Sequence, residues 1–382
     1  MHRQPNVEEV VIAGGGVAAL EATLALEQYA HGRLHATVIA AQSEFSYRAA
    51  RVVEPFSGPL APTYSIDEVI EGTNSVRIQD QVTWVDPPAR EVHTESGEAI
   101  RYDVLLLALG ARWSPSFPHA TTLDPDHLDD QMHGIIQDVE SGYIRSLAFV
   151  IPDHPVWPLP LYELALLTAR RAYEMHEEPR VTLITPEAAP LAIFGAEASA
   201  AVSSLLHESG VRVVNERHIA VPDSRHVRLG ALGRLMAADR VIALPELHAD
   251  SVPGIPRDGN AGFVHVDRHS RVLGLEGIYA AGDLTDFPIK HGGIAAQQAD
   301  VAAQSIAALA GMAIEPEPLV AVLNATLWGG PQPLYLSARV AGSQGTRSLV
   351  STTPLWEHAA KIYAPFLAPR LETLDRLRAA LG

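Results

Sequence analysis

An α/β chain, made of two doubly wound, Rossmann-like units and a C-terminal tail, is what this sequence predicts. Three observations carry the expectation. The chain opens on a strand, a glycine-rich turn and a helix, EEVVIAGGGVAALEATLALEQYA, followed by a second strand in LHATVIAA, which is a βαβ unit. A second strand–helix–strand series begins mid-chain at SLAFVIP. Late in the chain, IYAAGD reads as a short apolar strand that ends on Gly-Asp ahead of a glycine pair and a helix, KHGGIAAQQADVAAQSIA.

The elements follow in order. RYDVLLLALGARW is a buried strand ending on Gly110, and the Pro- and Asp-rich stretch SPSFPHATTLDPDHLDD after Trp113 reads as a crossing between units. SLAFVIP, the helix YELALLTARRAYEMH, the strand RVTLIT, the helix AEASAAVSSLLHES and the strand VRVVN keep the βαβ rhythm, and DRVIALPEL closes it. GFVHVDRHSRVLGLEGIYAAGD returns to short strands. The expected domains are therefore 1–112 together with 250–310, a middle domain 113–249, and a tail 311–382.

Composition bounds the function. With 47% hydrophobic and 19% charged residues the chain can bury sizeable cores, and 382 residues suit two or three domains. A formal charge of −17 with no dense Lys/Arg run argues against nucleic-acid binding. The absence of cysteine excludes disulfides, thiolate nucleophiles, Cys-ligated metals and iron–sulfur clusters. The 17 histidines show no metal-ligand spacing, so no metal is expected. The N-terminus reaches a strand at once, without a signal-peptide apolar region, and no apolar run approaches a transmembrane length. A cytoplasmic location is the expectation.

GGGVAA supplies Gly14-x-Gly16-x-x-Ala19 between a strand and a helix. Gly14 permits the tight turn, Gly16 lets a pyrophosphate approach a helix N-terminus, and Ala19 allows close helix–strand packing. The pattern, placed between a strand and a helix, predicts a dinucleotide site rather than a purely structural glycine turn. The acidic residue that commonly ends the second strand and holds ribose hydroxyls is replaced by Ala40, which leaves Gln42, Ser43 or Glu44 as substitutes.

IYAAGD, behind GFVHVD, resembles the second flavin-binding motif of the two-dinucleotide-binding-domain flavoproteins, the pyridine nucleotide-disulfide oxidoreductase superfamily. The resemblance implies FAD, with Asp283 after Gly282 on a ribityl hydroxyl. DVLLLALGA, with Gly110, resembles the superfamily's middle motif. A helix from about Ile294, behind Gly292 and Gly293, would aim its N-terminus at the flavin ring. FPIKHGGIAAQQAD resembles the branch of sulfide:quinone oxidoreductases, flavocytochrome c sulfide dehydrogenases and type II NADH dehydrogenases, and makes Lys290 the candidate charged group near the flavin, against a solvated loop lysine. His291 reads as a surface or supporting residue.

The middle domain lacks a usable nucleotide turn. Its first strand runs into FVIPDHPVWPLPLYELAL, there is no glycine between Gly142 and Gly195, and Pro152, Pro155, Pro158 and Pro160 remove N–H donors. NAD(P)H in its usual mode is not expected. Glu187 reads as a turn residue rather than a ribose ligand. The turn resembles the Cys-Pro-Pro-Gly-Pro-Tyr-Glu segment of the sulfide-oxidising flavoproteins, with Trp157 where the redox cysteine would fall. A second family cysteine is missing from LNATLWGGPQPLYLS. Persulfide and disulfide chemistry need a thiolate, so both are excluded. Trp157, Trp328 and Tyr335 are candidates to line an aromatic pocket instead, with packing of the domain interface as the alternative.

In the tail, Trp356, Ile362, Tyr363 and Phe366 precede Leu371, Leu374, Leu377 and Leu381, an amphipathic helix. Its mixed charges favour packing on the body or on a twin subunit over membrane contact. The expected function is an FAD-dependent oxidoreductase passing electrons from a small-molecule donor to an acceptor, with a quinone as a candidate. The alternatives are an NAD(P)H-dependent acceptor reductase and a flavin-holding partner protein without turnover.

Overall fold

The computed structural model describes residues 7–153, 156–230, 233–257, 262–341, 344–358 and 360–381. Seven α-helices occur among them: α1 Val17–Ala30, α2 Ile66–Ile70, α3 Leu128–Glu140, α4 Leu159–Glu174, α5 Ala196–Glu208, α6 Gly292–Leu309 and α7 Leu367–Leu381.

The first sheet has five parallel strands in the order Ile278–Ala280, Val104–Leu107, Glu9–Ala13, His35–Ile39, Ser75–Ile78. VLLL at 104–107 is buried at every position, as a strand covered on both faces must be. The last strand in sequence pairs with Val104–Leu107, so the chain leaves this sheet and returns to it after more than 150 residues. α1 and α6 cover one face and meet through small side chains, Ala18, Ala19, Ala22 and Ala25 against Ala295, Ala296, Ala299 and Ala302. Alanine lets the two helices approach closely without cavities.

The second sheet is also parallel, in the order Thr121–Thr122, Arg240–Ala243, Ser146–Val150, Arg180–Thr185, Arg212–Asn215. Its core holds Phe149, Tyr162 and Phe194, each fully buried.

Several local expectations change. α6 begins at Gly292, two residues before Ile294, so both glycines belong to its first turn. GFVHVD forms only isolated bridges, Val264 to Thr285 and Val266 to Val272. The tail contains a three-stranded antiparallel sheet, Val322–Leu327, Leu334–Ala341 and Gln344–Ser351, which the sequence reading does not anticipate. Its inward residues Leu323, Ala325, Leu327 and Leu336 join the core that holds Phe149, Tyr162 and Phe194.

Candidate active site

Three glycine-bearing turns converge because their strands are neighbours and parallel. Gly14 follows Glu9–Ala13, Gly110 lies three residues beyond Val104–Leu107, and Gly282 lies two beyond Ile278–Ala280. Gly14 has φ +132°, and a Cβ there would lie 2.2 Å from the carbonyl oxygen of Ala108. Only glycine fits. At Gly16, which caps α1, a Cβ would meet nothing within 4 Å. The first turn of α1 carries no acidic side chain, so no carboxylate of that turn competes with an anion for the free N–H groups at the positive helix end. Ala19 is fully buried.

Gly282 has φ +80°, and a Cβ there would sit 3.4 Å from Ala18 and Ala295, where α1 and α6 pinch together. Asp283 follows. Its carboxylate makes no hydrogen bond among the described residues. Burial pushes its pKa up, against the opposing charges of Lys290 and Arg48. A desolvated carboxylate without a donor suits hydroxyl groups that bring donors to it. The residues present thus fit a pyrophosphate at Gly14–Gly16 and a polyol at Asp283. Ala40 is buried and Gln42 is exposed beyond the second strand, so no carboxylate stands at that strand end.

The turn after Gly282 is held from behind by a residue absent from the sequence reading. Gln298 of α6 accepts the Gly282 N–H at 2.8 Å and donates to Thr285 Oγ1 at 3.1 Å. Lys290 is 5% exposed, which overturns the solvated-loop alternative. Its ammonium donates to the carbonyl oxygens of Asp283, at 3.1 Å, and Thr285, and lies 3.6 Å from the centre of the Phe263 ring. Burial lowers its pKa to about 8.

His291, expected at the surface or in support, is buried as the residue that caps α6. Trp157 lies against its ring at 4.5 Å, and Phe194 meets Trp157 edge-on at 5.9 Å. No described group bonds His291 Nδ1, and burial lowers the ring's pKa to about 4. Gly293 lies under this ring, and Gly292 lies against Ile362 of the tail.

Beside the second sheet, α4 begins directly after Pro158 with Pro160 in its first turn, so two positions of a would-be anion site have no N–H to donate. Pro155 lies outside the described residues. Glu187 is occupied: Tyr162 Oη donates to it at 2.6 Å and Thr185 Oγ1 at 2.9 Å. It is structural in its contacts.

Glu163 and Lys361 form a buried pair that no local pattern reveals. Glu163 is fully buried and Lys361 is 8% exposed; the ammonium reaches the two carboxylate oxygens at 2.7 and 2.6 Å. The same carboxylate accepts the Trp328 N–H at 2.7 Å, and Lys361 lies 4.1 Å from the Trp328 ring centre. Beside this pair is a cavity of about 240 Å³, lined by Val17, Tyr47, Tyr64, Trp328, Lys361 and Ile362 among others, with α7 along one side. The three aromatics do not converge as a set. Trp328 lines the cavity, Trp157 lies tilted against His291, and Tyr335 packs on Trp356 at 5.5 Å.

The tail helix packs on the body. Leu367, Leu371 and Leu374 are buried in the core formed with α1 and α6, Tyr64 Oη bonds Asp375 at 2.9 Å, and Arg370 donates to the carbonyls of Glu68, Val69 and Glu71. Among the described residues no helix is long and apolar enough to cross a membrane, and no cluster of side chains is arranged for a metal ion.

No protein-family model matches the chain, and no curated protein matches it by sequence. Solved structures do. The sulfide:quinone oxidoreductase of the hyperthermophilic bacterium Aquifex aeolicus superposes with a TM-score of 0.78 at 19% identity, over 90% of this chain and 86% of that one. A chain within the mitochondrial ATP synthase tetramer of Tetrahymena thermophila gives 0.67 at 15% identity, over 91% of both chains. A ferredoxin reductase of Rhodopseudomonas palustris gives 0.61 at 19% identity, over 88% and 83%. The chain has the two-sheet α/β fold that its motifs resemble.

Proposed function

We propose that this chain is an FAD-dependent oxidoreductase that passes electrons from a small organic donor to a quinone-class acceptor, without thiol chemistry and without a nicotinamide cofactor. The observation that carries the reading is the convergence of the Gly14–Gly16 turn, Gly110 and the unpartnered Asp283 carboxylate at one end of a parallel sheet. Residues 1–112 and 250–310 form the cofactor domain, 113–249 a nucleotide-type domain that has lost its nucleotide turn, and 311–382 the region that roofs the cleft.

FAD, when bound, supplies two-electron redox chemistry. The chain's own groups bind and orient it. The amides after Gly14 and Gly16 take the pyrophosphate, and Asp283 takes ribityl hydroxyls. Gln42 is the residue available near the ribose end. Ala19, Gly110 and Gly282 let the backbone come close, and Gly293 opens the start of α6, whose positive end favours negative charge nearby. Lys290 holds the Gly-Asp turn through two carbonyls and adds a positive charge beside Asp283. Trp157, on His291, closes the side where a cysteine would act in the resembling enzymes. The acceptor enters the cavity lined by Tyr47, Tyr64 and Trp328, where apolar walls receive a ring and Lys361 and the Tyr47 hydroxyl offer donors, the Tyr64 hydroxyl being given to Asp375. A cytoplasmic site of action belongs to the same reading.

A second reading draws on the chain of similar fold within the Tetrahymena ATP synthase: this protein holds its cofactor as a component of a larger assembly. One experiment separates the two. Protein reconstituted with FAD is photoreduced anaerobically and mixed with a water-soluble quinone. Reoxidation much faster than that of free flavin supports the enzyme. A retained flavin that stays reduced supports the assembly reading, and failure to retain FAD ends both.

A further inference from the structure

Glu21 of α1 is fully buried, yet among the described residues it has no cationic partner. Its hydrogen bonds go to the start of the tail helix. Oε2 accepts the Leu367 N–H at 2.6 Å, and the Phe366 N–H lies 3.1 and 3.3 Å from the two oxygens. Amides at a helix start have no partner within the helix, so one carboxylate beneath the tail holds the beginning of α7. That segment is also the roof of the cavity: Ile362, Ala364, Leu367, Ala368 and Leu371 all line it.

Among the described residues, the charge that acts on Glu21 is of its own sign. Asp300 of α6 repels it, and Asp300 is itself bonded by Tyr29 Oη at 2.7 Å and Gln304 Nε2 at 3.1 Å. Tyr29, on the same helix as Glu21, packs edge-on against Phe366 at 5.6 Å. α7 offers backbone N–H groups alone at this point. An ionised Glu21 is thus well bonded but buried beside a like charge. A protonated one gives up part of its acceptor strength and loses the desolvation cost.

We propose that Glu21 is a proton-operated latch: protonated, it keeps the start of α7 closed over the cavity, and ionised, it lets that segment lift and admit the cavity's ligand. Burial above all, with Asp300 adding and the two amides opposing, raises the carboxyl from its ordinary 4.5 to about 8 while the tail is closed. The sign follows from linkage. The closed state binds the proton more tightly, so its stabilisation is complete below about 4.5, shrinks as pH rises, and is gone once pH passes about 8.

Hydrogen exchange of the full-length chain, followed by mass spectrometry from pH 5 to 9 and divided by intrinsic exchange rates, reads the latch at the Phe366 and Leu367 amides. Wild type should open up to about tenfold more per pH unit through this range and level off near pH 8. Glu21→Gln keeps the shape and an acceptor oxygen but cannot ionise, so its opening should be flat with pH. Asp300→Asn removes the repulsion and should bring the plateau to lower pH. Amides of the strand Ser146–Val150 serve as an internal control and should not change. Parallel pH dependence in wild type and Glu21→Gln would overturn the latch, as would a Glu21→Gln tail more open than wild type at pH 8. A plateau unmoved in Asp300→Asn would overturn the part assigned to Asp300.

Discussion

Lys361→Met tests whether the tail is locked to the middle domain by a buried charge pair. In the wild type both carboxylate oxygens of Glu163 are reached by the Lys361 ammonium, at 2.7 and 2.6 Å, with exposures of 0% and 8%. Methionine keeps most of the side-chain volume but leaves Glu163 with the Trp328 N–H as its one described partner. A buried carboxylate stripped of its cation costs about 3–5 kcal/mol, and the lost contact with the Trp328 ring adds roughly 0.5–2 kcal/mol. Burial already pushes Glu163 up and Lys361 down, so neither charge is comfortable alone. Glu163→Gln should be damaging for the mirrored reason. The double variant removes both charges and should recover most of the loss, leaving a deficit near 1 kcal/mol. The assay is a urea-unfolding series of the four proteins, with tryptophan fluorescence and circular dichroism as probes. The expected signature is a coupling energy of at least about 2 kcal/mol. Single losses that simply add in the double variant, or that stay under 1 kcal/mol, would refute a buried pair and with it the docking of residues 360–364.

Asp283→Ala should loosen FAD by about 1.5–3 kcal/mol, roughly ten- to a hundredfold in dissociation constant; equal retention by equilibrium dialysis would remove Asp283 from the site. NADH and NADPH should bleach the bound flavin slowly or not at all, because Pro158 and Pro160 occupy the start of α4 and Tyr162 occupies Glu187; rapid stoichiometric bleaching in a stopped-flow trace would restore the reductase alternative. Lys290→Met should lower the flavin midpoint by about 20–65 mV at pH 7. Since Lys290 loses its proton near pH 8, the difference between the two proteins should shrink by pH 9, and a pH-independent gap would count against the charge as its cause. His291 is held neutral with a pKa lowered from 6.5 to about 4, so its contribution to stability is present above 6.5 and is lost as pH falls through 4. His291→Phe should be less acid-sensitive between those values, and unchanged acid melts would contradict the buried assignment.

Much of the architecture is legible in the residues. The alternation of apolar strands with helices, the glycine turn at 14–16 and the Gly-Asp at 282–283 are local patterns, and each is dictated by neighbours a few positions away. The antiparallel sheet of the tail escapes notice because LNATLW and PLYLSARV are short and only weakly alternating. Such strands owe their state to packing on the middle domain's core rather than to their own propensity.

By itself the sequence determined which chemistry is absent and where strained backbone had to be glycine. With no cysteine there is no thiolate, and the glycines of GGGVAA mark the tight turn ahead of a helix. Tertiary structure alone decided which polar groups are buried together. Lys290 looks like a loop lysine until its carbonyl partners are placed, Gln298 is one more helix glutamine until it meets Gly282, and Glu21, Glu163 and Lys361 stand up to 346 positions from the groups that bond them. The physical reason is that desolvation and hydrogen bonding act through space over a few ångströms. Sequence periodicity records which face of an element turns inward. It does not record which side chain from another part of the chain will be waiting there.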